Sequence, residues 1–183
     1  MKTKFFLVLT VFCCLIGSQL FAQSDNHTIS ITIPAVTLIR IAPVASKNLT
    51  MDFTAPTTAG NAINAPTNNS TLYLQYSSIL TAPATTRKVS VKTSALINGV
   101  NISVTAADPS ATNLLGGGGT GSTVSAIAAT DATLITGITS CATGIGATDG
   151  SNLTYNLNTG TASNYGNLRS GTTSVTITYT LSD

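Results

Sequence analysis

The chain has 183 residues, of which only 8% are charged, with one histidine, three cysteines, no tryptophan and a formal net charge of +2. The excess belongs to Lys2 and Lys4, and residues 23–183 carry six basic and six acidic side chains, so nothing here favours nucleic acid or an anionic membrane as partner. One histidine and no glutamate leave little for acid–base or zinc chemistry, and the composition points away from an enzyme and from a cofactor.

Residues 1–22 read as an address. Lys2 and Lys4 precede the apolar run from Phe5 to Gly17, which is short for a membrane span, and Leu20 and Ala22 stand before an expected cut ahead of Gln23. Cys13 and Cys14 lack the small preceding residue of a lipoprotein site and are expected to leave with the signal peptide. The expectation is export through the periplasm to the cell surface or medium, as one domain over residues 23–183 with no transmembrane segment. That length is enough to bury a core. Cys141 is then the single cysteine, without an internal partner, and is expected to be a small buried residue.

Apolar side chains recur at every second position between turn formers, the period of a half-buried strand. HTISITI, residues 27–33, sets Ile29, Ile31 and Ile33 on one face before Pro34, which has no N–H to donate. Strands are expected at 35–41, at 49–53 with Leu49, Met51 and Phe53 aligned, and from Thr71. RKVSVKTSA at 87–95 turns Val89 and Val91 inward and Lys88, Ser90 and Lys92 outward. With VNISVTA at 100–106 it is expected to form a hairpin through Ile97, Asn98 and Gly99. The glycine-rich stretch from Ala111 reads as a long surface connection with short, weakly marked strands, and its LLGGGGTGST tract as a flexible loop. Order is expected again near Leu134, at 152–157 with Leu153, Tyr155 and Leu157, and at the C-terminal end with Val175, Ile177, Tyr179 and Leu181 on one face. The fold class that follows is all-β, an antiparallel immunoglobulin-like sandwich of about seven to nine strands.

Chemical motifs are weak throughout. His27 lies beside the expected new N-terminus, where nothing would hold a catalytic base. The aspartates sit in turn sequences such as ADPS, ATDA and ATDG, and no serine elbow is present. The tract LLGGGGTGST lacks the lysine of a phosphate loop, and GIGATDG lacks the third glycine of a dinucleotide turn. Calcium at DGSN, residues 149–152, is weighed against a tight turn, which explains the same residues. Arg87, Lys88 and Lys92 read as a solvated strand face. Tyr155 and Tyr179 fall on apolar faces, whereas Tyr73 opposes Leu72 and Leu74 in parity and is the candidate ligand contact.

The start HTISITIPAVTLIRIAP, the central YLQYSS followed by RKVSV, and the ending NYGNLRSGTTSVTITYTLSD resemble a family of small secreted β-sandwich proteins of Bacteroidetes. More distantly they are similar to CS1-type pilin subunits and spore coat U-like proteins, through an alternating N-terminal strand, a disulfide-free core and a last strand led in by Asn-Tyr-Gly. The likeness covers both ends and little of the middle, and its motifs are general β patterns. It implies an incomplete sandwich whose missing strand comes from a neighbour's residues 24–33, with Ile29, Ile31 and Ile33 as strand-donor residues. The chain's partner would then be itself, as a homo-oligomer or fibre. The same segment could instead be the first strand of a closed sandwich. The functional expectation is a non-catalytic, pilin-like structural or adhesive subunit of the cell surface, and the alternative is a monomeric extracellular ligand- or glycan-binding module using Tyr73 and the glycine-rich stretch.

Overall fold

A computed structural model describes residues 23–160 and 162–183. The expected signal peptide, residues 1–22, lies outside the described residues. The chain divides into two units, residues 1–33 and 34–183. In the first, residues 23–33 form no helix or strand, and Ile29, Ile31 and Ile33 are 71%, 79% and 75% exposed. The strand expected at 27–33 is therefore not formed.

The second unit is an antiparallel β-sandwich of nine strands. In chain order these are β1 (Val36–Ala42), β2 (Asn69–Ile79), β3 (Arg87–Thr93), β4 (Asn101–Ala106), β5 (Leu115–Gly121), β6 (Thr123–Val124), β7 (Ala132–Ala142), β8 (Ser151–Asn158) and β9 (Ile177–Ser182). A single helical turn, α1 (Ala162–Tyr165), precedes β9. Every ladder is antiparallel. Two leaves emerge from the pairings, β5–β7–β3–β9 and β6–β4–β8–β2–β1. The one ladder between them has two residue pairs, Ser77 with Ala142 and Ser78 with Cys141, and Ser122 adds a backbone bond to each leaf, donating to the Leu134 carbonyl and accepting from the Ala106 N–H.

Alternation dictates what lies between the leaves. Leu72, Leu74 and Tyr76 of β2, Val104 of β4 and Leu153 and Tyr155 of β8 meet Val89 and Val91 of β3, Leu134, Ile135 and Ile138 of β7 and Leu181 of β9 in one core. Each large aliphatic side chain fully removed from water contributes roughly 1.5–3 kcal/mol. Cys141 belongs to this core, and burial raises its thiol pKa, as expected of a packing residue.

Three further sequence expectations are corrected by the sandwich itself. β3 and β4 do not form a hairpin. The turn at Ile97–Val100 exists, closed by Val100 N–H donating to the Ile97 carbonyl, but it carries the chain from one leaf to the other, so β3 pairs with β7 and β9 and β4 with β6 and β8. Residues 49–53 are not a strand either. Leu49 and Met51 pack on the core, but the only ladder contact nearby is an isolated bridge between Thr54 and Asn64. Pro66, without an N–H, cannot extend that ladder.

The third correction is the glycine-rich stretch, which is a packed strand followed by a short one. A Cβ on Gly118 would lie 2.4 Å from Pro109 Cγ, and one on Gly121 would lie 2.2 Å from the Ala106 carbonyl oxygen. From inside the core, the Tyr76 hydroxyl donates to the Gly118 carbonyl at 2.5 Å. Close backbone approach, not mobility, is what these glycines provide.

Candidate functional site

The two outermost strands of the leaves, β1 and β9, are each paired on one side only, β1 with β2 and β9 with β3. They run as neighbours along a seam that no ladder closes. Their inward side chains, Ile39 and Ile41 on β1 and Ile177 and Tyr179 on β9, pack on the core but remain half-buried, whereas Val89, Val91, Leu134 and Leu153 on interior strands are fully buried. Leu49 and Met51 are half-buried in the same way. The sandwich thus carries an apolar seam with unpaired backbone on both banks, the condition that invites an added strand.

One end of the seam is pinned by Arg87, which corrects the reading of that residue as solvated. Its side chain is 6% exposed. The guanidinium donates to the Val36 carbonyl at 2.5 Å, to Ser78 Oγ at 3.3 Å, to the Ile79 carbonyl at 3.5 Å and to Asp183 Oδ1 at 2.7 Å. The planar fork can satisfy acceptors from β1, β2 and the end of β9 at once. Lys88 and Lys92 do face outward, and Lys92 reaches Asp131 at 3.4 Å on the surface.

Between the leaves, the Tyr155 and Tyr179 hydroxyls meet at 2.6 Å. Burial raises the pKa of both phenols, and burial pushes that of Tyr76 up to about 12. Each hydroxyl finds a partner inside, as buried phenols require.

Asp149 is a cap. Its carboxylate accepts from Asn113 Nδ2 at 2.9 and 3.1 Å and from the Gly146 N–H at 2.6 Å, and these bonds, Asn113's first, lower its pKa. Its oxygens organise the Gly146–Asp149 turn, which ends where DGSN begins, and Ser151 and Asn152 of that sequence already belong to β8. Among the described residues no group of three His, Cys, Asp or Glu side chains is placed to hold a metal.

Tyr73 lies on the outer face of β2, half-buried, paired in register with Ala42 and Asn152. It is not joined to the glycine strand, which takes its contact from the inward Tyr76 instead. His27 is exposed and hydrogen-bonds to nothing among the described residues. The sequence marks the isoleucines and Tyr73 as candidates and gives no sign of a buried Arg87 or of the seam. A basic residue opening a strand carries no mark of burial, and an unpaired edge is a property of partners.

No protein-family model, curated protein or solved structure matches this chain.

Proposed function

We propose that the protein is an exported, non-catalytic structural or adhesive subunit of the cell surface that joins copies of itself by strand addition. Residues 24–33 of one copy enter the seam between β1 and β9 of the next, with Ile29, Ile31 and Ile33 facing its half-buried side chains. The observation that carries this reading is a complementary pair of features. A segment outside any helix or strand offers alternating isoleucines, each more than two-thirds exposed, and a sandwich offers two adjacent unpaired strand edges over an incompletely covered core. Main-chain hydrogen bonds would supply affinity and the alternate side chains register. The neutral surface adds no repulsion between copies.

The test is size analysis of unboiled protein from its host, beside a version lacking residues 24–33 and an Ile31→Asp variant. The expected result is a ladder of multimers that collapses to one band in both altered proteins. A monomer in all three samples, or a ladder indifferent to both changes, overturns the reading.

A further inference from the structure

Among the described residues the arms Thr50–Thr54 and Ala65–Asn69 are held together only by the Thr54–Asn64 bridge, and beyond it, where Pro66 interrupts the ladder, they part around a hollow of about 440 Å³. No backbone hydrogen bond joins the arms within it. The volume falls within the roughly 300–1,000 Å³ of small-ligand sites, although such sites are usually more apolar than this one.

The polar groups lining it are specifically committed. Asn68 Oδ1 accepts from Asn156 Nδ2 at 2.7 Å, and Asn69 Oδ1 accepts from the Thr71 N–H at 3.1 Å and Thr71 Oγ1 at 2.8 Å. Each amide is therefore anchored through its oxygen, which leaves its NH₂ uncommitted among the described residues. Opposite them, Asp52 is exposed and its carboxylate accepts no hydrogen bond there. Met51 and Pro66 add half-buried apolar surface to the lining.

We infer that this hollow binds a neutral saccharide through a vicinal diol. A hydroxyl both donates and accepts, so adjacent hydroxyls can donate to the Asp52 carboxylate while accepting from the Asn68 and Asn69 amides. The apolar edge of the sugar ring lies against Met51 and Pro66. The carboxylate disfavours anionic sugars, and no cation is needed. The hollow is lined by the Thr50–Thr54 and Ala65–Asn69 arms and by no residue of β1 or β9, and it differs from a glycan site centred on Tyr73.

Ligand-observed saturation-transfer NMR tests this whether or not the protein assembles. The probes are mannotriose, xylotriose, cellotriose, chitotriose and lactose, with trigalacturonate as the anionic counterpart. At least one neutral probe is expected to bind with Kd on the order of 1 mM, the strength of a small polar contact. Asp52→Ala and Asn68→Ala are each expected to weaken it about tenfold, the loss of one hydrogen bond to a charged or anchored group. Tyr73→Ala leaves it unchanged. Circular dichroism verifies that the variants are folded, and Asp52→Asn serves as a second probe of the carboxylate without loss of shape. Absence of transfer to every neutral probe, binding indifferent to the Asp52 and Asn68 changes, or binding lost on Tyr73→Ala alone overturns the assignment.

Discussion

Arg87 shows how far one residue's role depends on its surroundings. Its guanidinium is buried, yet its acidic partner Asp183 is 66% exposed in its side chain, so the ion pair itself is worth little and the bonds to the Val36 and Ile79 carbonyls matter more. Arg87→Ala is expected to cost about 2–4 kcal/mol, because it empties a buried side-chain site and takes the donor from Ser78 Oγ and the part-buried Val36 carbonyl. Asp183→Asn is expected to cost less than about 1 kcal/mol. Urea unfolding of the two variants measures the contrast.

Asp149 makes a second residue-scale prediction, and its sign follows from the lowered pKa. A carboxylate held below its unfolded value of about 3.9 contributes stability that is fully present above that value and is lost as pH falls through the folded pKa. Acid unfolding is therefore expected to be steeper below about pH 4 in the wild type than in Asp149→Asn, as the pH dependence of the urea midpoint reports.

At the scale of elements, the glycine strand β5 is the instructive case. Strands announce themselves through alternating side chains, and a run such as LGGGGTG has almost none to alternate, so sequence reasoning turns to flexibility. In the fold, those positions are where backbone meets backbone. Gly121→Ala would push a methyl against the Ala106 carbonyl and is expected to destabilise by about 1–3 kcal/mol or more. Gly166→Ala meets nothing within 4 Å and is expected to be neutral or stabilising by up to about 1 kcal/mol. Thermal melting of the two variants separates a packed glycine from an open one.

At the scale of the whole molecule, the leaves are joined by little backbone pairing, so side chains must hold them in register. Tyr155 and Tyr179 do so by a direct hydroxyl contact from β8 to β9. Either Tyr→Phe change alone leaves a lone buried hydroxyl and is expected to cost about 1–2 kcal/mol. The double change is expected to cost less than the sum, because it removes both polar groups together. A double-mutant cycle measured by denaturant unfolding reads that coupling. The seam between β1 and β9 belongs to the same scale, since its opening is defined by which strands find partners and which do not.

The all-β class, the places of β1–β4, β8 and β9 to within a few residues, the return of order near Leu134, and the inward faces carrying Leu72, Leu74, Val89, Val91, Leu153, Tyr155 and Leu181 were legible in the chain alone. These rest on a local rule, since successive side chains of a strand point to opposite faces whatever the strand pairs with. Long-range packing set the rest: β3 and β4 part into different leaves, Arg87 is enclosed, the glycines form a strand and Thr50–Asn69 opens into a hollow. Each of these depends on contacts between residues far apart in the chain. The period of two fixes the face a side chain takes, but the choice of neighbour is made by the competition of all strands for hydrogen-bonding edges and apolar cover.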